Sequence, residues 1–298
     1  MEISSLLNAM PGACAQGLIW GIMAIGVYIT YKILDVADLT VDGTMCTGGA
    51  VCVVMMLNGY SIWVSLICAF LAGMLAGLVT GIFHTFMGIP AILAGILTQL
   101  ALYSINLRIM GSPNQAISVR KYSLLVSLMY IPQAIVIAAI FVVVLIIVLY
   151  WFFGTELGCS LRATGCNQDM ARAQGINTNL NKVLGLMLSN GIVALSSALY
   201  SQYQGFADIN MGRGAIVIGL AAVIIGDVVF GKLFRNFALR LLGVALGAVM
   251  YYLVIQVVLW LGLNTDDLKL LTALVVGVFL SVPYLKGRYF NKPGKAAK

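Results

Sequence analysis

The chain has 298 residues, 61% of them hydrophobic and 9% charged, with a net charge of +7 and a mean hydropathy of +1.02. Soluble domains carry roughly 25% charged residues and about half apolar ones, so this composition excludes an ordinary water-soluble fold. The positive balance points to the Lys/Arg bias of cytoplasmic loops in a membrane protein rather than to nucleic acid.

In chain order, apolar runs predict spans near 13–34, 44–57, 61–83, 90–107, 133–153, 179–202, 214–231, 236–262 and 268–285. A helix needs about 20 apolar residues to cross a hydrocarbon core of about 30 Å, so some of these are short or broken. The reading is an all-α, polytopic membrane protein of about nine segments (8–10), one membrane domain over 1–298. The runs lack the alternation of a transmembrane β-barrel. Trp63, Tyr130, Trp151, Tyr203 and Trp260 fall near predicted span ends, where interfacial aromatics belong. The first cation is Lys32, so the opening run has no basic leader and is expected to remain as a span.

Basic loops set the orientation. The tail at 286–298 carries five cations and no acid, and the 232–240 loop holds Lys232, Arg235 and Arg240. Both are expected in the cytoplasm, with two spans between them. Counting back puts 154–178 inside, 108–132 outside and the N-terminus outside. Arg108, Arg120 and Lys121 then lie on the outer side, against the rule.

Three polar stretches interrupt the spans. Ile33 to Gly49 (ILDVADLTVDGTMCTGG) sets Asp38, Thr40 and Asp42 in alternation, as on an extended or broken backbone, with Gly43 placed to release a helix at Thr44. Acidic residues at membrane depth face a cavity or a partner; an ordinary capping loop is the alternative. In the run from Gly88 to Gly111, Gln99, Tyr103 and Asn106 follow helical spacing and share one face. That stripe suits either interhelical hydrogen bonds or pathway lining. Ser201 to Gly214 is a Gly-rich loop with Asp208, Asn210 and Arg213, ahead of a short Gly-rich run ending at Asp227. Such broken segments often form transport sites.

Close packing is legible in Gly73, Gly77 and Gly81 and in Gly243 and Gly247. The six cysteines show no CxxC spacing and read as small buried residues rather than as disulfides or zinc ligands. His84 is the only histidine and no P-loop occurs, so neither a His-based metal site nor ATP binding by this chain is expected. No cofactor is expected either.

A fourth, compact polar stretch, Leu161 to Lys182 (LRATGCNQDMARAQGINTNLNK), predicts a short helix with Asn167 as N-cap and Gly175 as its stop. Cys166, Met170 and Ala173 share one stripe, and Gln168, Asp169 and Arg172 turn elsewhere. A helix of this kind suits docking in a groove of a soluble partner.

LGCSLRATGCNQDMARAQGIN resembles the cytoplasmic coupling loop of permeases of ATP-binding cassette importers of the branched-chain amino acid and ribose type. DLTVDGT, GIPAILAGILTQLALYSINLRIMG and GFADINMGRGAIVIGLAAVIIGD extend the likeness over nearly the whole chain, closest to permeases of tryptophan- or tyrosine-type systems. The additional first span of ribose-type permeases is not matched. The resemblance implies a homodimer in the cell membrane, cytoplasmic ATPase subunits and an extracytoplasmic substrate-binding lipoprotein. It assigns Arg162, Ala163, Gly165, Asn167, Asp169, Arg172 and Gly175 to ATPase coupling, and Asp38, Thr40, Asp42 and Gly43 to a broken second helix lining the pathway. Gln99, Tyr103 and Asn106 join the pathway by their spacing alone. The implied function is uptake of a small solute, an amino acid and by resemblance an aromatic one. An ion-coupled carrier and a non-transporting receptor or assembly protein are the rival readings, with a membrane enzyme more distant.

Overall fold

In a computed structural model, residues 3–118, 122, 124–231 and 233–261 are described, together with short pieces between 270 and 281. The chain builds α1 (Ile3–Tyr28), a π turn (Ile29–Ile33), α2 (Thr40–Leu57), α3 (Ile62–Thr85), α4 (Ala91–Met110) and β1 (Asn114–Ala116). It continues through α5 (Ile131–Gly154), α6 (Glu156–Cys166), α7 (Gln168–Ala173), α8 (Thr178–Gln204), β2 (Phe206–Asp208), α9 (Ala215–Phe230) and α10 (Phe237–Trp260).

Among the described residues, seven helices are long and apolar enough to cross a membrane, and α9 is a shorter apolar helix. These match eight of the nine expected segments; most of 268–285 lies outside the described residues, as does the tail at 286–298. At about 1.5 Å per residue, α9 is roughly 24 Å long, short of a full crossing. The protein is a polytopic helical membrane protein.

Burial sorts the helices into an inner and an outer set. The apolar windows of α1 and α8 are 78% buried, whereas that of α5 is 22% buried. Outer faces carry Trp63, Ile67, Leu71 and Leu75 on α3, and Val136, Ile140, Val143 and Ile147 on α5, all exposed. With no water to drive them inward, these side chains are solvated by lipid. The inner set is joined by polar groups on α8. Ser189 donates to the Gly26 carbonyl and Ser196 to the Ile19 carbonyl, both at 2.7 Å, and Ser197 donates to the Met45 carbonyl. Small residues complete the contact: a Cβ at Gly73, Gly77 or Gly81 of α3 would meet the α8 segment from Val183 to Ala194. These glycines therefore pack within one subunit. A two-stranded antiparallel pair, with Gln115 opposite Ala207, holds the loop after α4 to the end of α8.

The cysteines depart in part from expectation. Cys46 and Cys52 are buried and all six thiols are free, but Cys159 and Cys166 are exposed on α6.

Candidate functional site

The break between α1 and α2 organises the first site. Its backbone turns at Asp35, the one non-glycine residue with positive φ (53°) among those described. Asp38 follows, 2% exposed. Its Oδ1 accepts from the Thr40 amide at 2.9 Å, so α2 starts at Thr40 rather than at Thr44. Gly43 thus does not release the helix. It lies within α2, where a Cβ would press on the Gln99 and Leu102 positions of α4.

Asp38 and Thr40 are held inside the bundle. Asp38 Oδ2 accepts from Asn190 Nδ2 at 2.7 Å, and Asn190 Oδ1 accepts from the Thr44 hydroxyl at 2.7 Å. Thr40 and Thr80 share a hydroxyl hydrogen bond of 2.7 Å, and Thr80 reaches Thr98 at 2.9 Å. One chain of buried polar groups therefore joins the break to α2, α3, α4 and α8. Buried groups satisfied in this way fix a single arrangement, because each unpaired group in lipid or protein is costly.

Asp42 faces another way. Its carboxylate accepts from the Gly214 amide at 3.0 Å and the Ile216 amide at 2.9 Å. These are orphan donors at the start of α9, and a carboxylate there also meets the positive end of the helix dipole. The other end of α9 is held by the same stretch of chain: Asp227 pairs with Lys32 of the π turn at 3.0 Å. The π turn and the first turn of α2 thus grip the two ends of the short helix.

Beside Asp42 lies a cavity of about 130 Å³, walled by Asp42, Gly43, Cys46, Gln99, Tyr103, Asn106 and Arg213, among others. Five of the seven residues expected to line a pathway meet here, and Asp38 and Thr40 do not. Asn106 is fully buried; its amide donates to the Gly43 carbonyl at 3.4 Å and its Oδ1 has no partner. Tyr103 is half-exposed and Arg213 is exposed. The cavity thus offers a guanidinium, a phenol and amides within apolar walls, a set that can hold a small polar solute. Arg213 comes from the Gly-rich loop that the sequence marks as a broken segment, whereas Cys46 carries no such signal. The Cys46 thiol donates to the Ile209 carbonyl at 3.1 Å and accepts from the Gly212 amide at 3.3 Å, which brings the Arg213 loop to the cavity. That contact spans more than 160 residues and leaves no local pattern.

A second candidate surface projects from the end of α5. The 154–178 stretch forms two helices, α6 and α7, divided at Asn167. Asn167 Oδ1 accepts from the Met170 amide at 3.0 Å. Gly175 has φ +80°, and the Gly175 and Ile176 amides bond back to the Arg172 and Ala171 carbonyls, a Schellman ending. Ala171 is buried; Cys166, Met170 and Ala173 all face out, as do Asp169 and Arg172. Arg172 Nε donates to the Thr178 hydroxyl at 2.9 Å. Two of the residues expected to couple are packed against the bundle. Arg162 lies over the Phe237 ring at 4.2 Å and near Phe153 at 5.2 Å. Gly165 packs against the Ile33 backbone, leaving no space for a Cβ. Ala163 is half-buried.

Comparison with known proteins adds independent findings. Residues 10–282 match a family described as branched-chain amino acid transport system / permease component. A tyrosine transport system permease protein of Clostridioides difficile is 43% identical over 92% of this chain and 91% of its own. A fructose import permease protein of Bifidobacterium longum is 26% identical over 80% of this chain and 67% of its own. In fold, the chain is similar to a structure of PsaBC from Streptococcus pneumoniae in complex with Fab, with a TM-score of 0.54 and 15% identity. That match covers 96% of this chain and 99% of the other.

Proposed function

Because the chain belongs to the family of branched-chain amino acid transport system permease components, we propose that it forms the translocation pathway of an ATP-binding cassette importer for an amino acid. The family is one of transport permeases rather than catalytic enzymes, and in this reading ATP is hydrolysed on separate cytoplasmic subunits. A binding lipoprotein delivers the solute from outside, and two copies of the permease lie side by side in the membrane.

The observation that carries the reading is the cavity between α2, α4 and the start of α9. A zwitterionic amino acid needs a cation for its carboxylate and acceptors for its ammonium. Arg213 supplies the first, and Asn106 Oδ1 has an unused acceptor. The wall is open where Leu100 and Tyr103 are exposed, the place where a second copy would close it. The relative that transports tyrosine favours an aromatic substrate, and selection among amino acids falls mainly to the binding protein.

Movement comes from the α6–α7 unit. Its exposed Cys166, Met170 and Ala173 stripe docks in the ATPase, and closure of the ATPase pair shifts α6 against the break after α1. Arg162 and Gly165 transmit that shift as packed residues rather than as contacts to the ATPase. The two permease copies then rock about the cavity, exposing it alternately to either side. Only a difference in docking contacts between the two states can drive the change.

The test is uptake of labelled tyrosine into vesicles holding the permease, its ATPase and the binding protein. ATP-dependent uptake supports the reading. Uptake driven by an ion gradient without ATPase would assign the chain to secondary transport.

A further inference from the structure

The second, larger cavity, of about 420 Å³, lies where the π turn after α1, helix α6 and the start of α10 meet. Its walls include Lys32, Arg162, Arg235 and Arg240, with Tyr28 and Phe237 between them. The transport pathway does not use it, and of the docking stripe Cys166 alone reaches its wall. We infer that this cavity binds a phosphate-bearing anion, presented by the headgroup of an anionic lipid.

Charge balance is the first reason. Four cations converge on the cavity, and Asp227, bonded to Lys32, is the one carboxylate in an ion pair with any of them among the described residues. Like charges gathered at a partly desolvated site repel one another, and a bound anion relieves that repulsion.

Geometry is the second. Arg162 is pinned over the Phe237 ring, and its Nε is buried without a partner. A guanidinium fixed in this way presents its remaining donors as a fork suited to phosphate oxygens, with little further entropy to lose.

The surroundings favour a lipid over a free ion. The cavity sits at the C-terminal end of α1 and the start of α10, and Tyr31, Leu233 and Leu239, close in sequence to its lining residues Lys32, Arg235 and Arg240, are exposed. A cationic recess beside an apolar shelf receives both parts of a phospholipid, and basic pockets between membrane helices bind such headgroups.

The full-length permease, exchanged into micelles with equal phosphatidylglycerol and phosphatidylcholine, is assayed for retained lipid by mass spectrometry. Phosphatidylglycerol should be enriched, and Arg235→Gln with Arg240→Gln should cut that enrichment by about tenfold or more. The Arg235→Lys with Arg240→Lys pair should keep most of it, which separates lost charge from misfolding. A parallel arm adds inorganic phosphate in neutral micelles. Stabilisation there that the Gln pair abolishes, without phosphatidylglycerol enrichment, keeps the anion site and assigns it a soluble phosphate. Equal retention of both lipids with no response to phosphate would overturn the site, as would enrichment that the Gln pair leaves unchanged.

Discussion

Asn190 donates its side-chain amide to the buried Asp38 carboxylate across 2.7 Å, joining the break after α1 to the middle of α8. The same amide group accepts from Thr44, so one side chain fixes both the break and the first turns of α2. Asn190→Leu should therefore leave a buried carboxylate short of a partner, at a cost of about 2 kcal/mol. Thermal unfolding of the purified variant should show a clear loss of stability. An unchanged melting temperature would mean that the bond does not hold the break.

Asp42 should matter through α9. Asp42→Ala removes both acceptors from the Gly214 and Ile216 amides and should destabilise the helix start by about 1–2 kcal/mol. Asp42→Asn keeps one acceptor oxygen and should fall between wild type and the alanine variant. Uptake assays on the three proteins should follow the same order.

Packing makes a sharper contrast. A Cβ at Gly48 would lie 2.6 Å from the Ala194 Cα, whereas one at Gly154 meets nothing within 4 Å. Gly48→Ala should force α2 from α8 at a cost of about 1–3 kcal/mol. Gly154→Ala should be neutral or slightly stabilising, as expected for a helical position with free space. Yield of monodisperse protein and its melting temperature would test both.

Arg172 is exposed beside the docking stripe and tied to Thr178. Arg172→Glu should abolish uptake while leaving membrane insertion and stability near wild type. Normal transport by this variant would remove Arg172 from the coupling contact.

Much of this was legible in the sequence where the signal is local. The Asn167 cap and the Gly175 stop follow from capping chemistry within nine residues, and both hold in the structure. The Gln99, Tyr103 and Asn106 stripe, set by helical spacing, reaches one cavity. What local pattern does not carry is partnership across the chain. Asp38 reads as a pathway acid, and nothing near it in the sequence points to Asn190, its partner 152 positions away. Ser189, Asn190, Ser196 and Ser197 form a polar stripe within an apolar helix, and that was the signal available for α8 as the inner post. Arg162 likewise reads as a surface cation in a polar loop, and only the fold brings Phe237 beneath it.

The central claim is that the α6–α7 unit faces the cytosol and meets an ATPase there. In a variant with the native cysteines replaced, Asp169→Cys should resist a membrane-impermeant maleimide in intact cells and react once the cells are opened. Bound ATPase should then protect it. Labelling of that cysteine from outside intact cells would contradict the account.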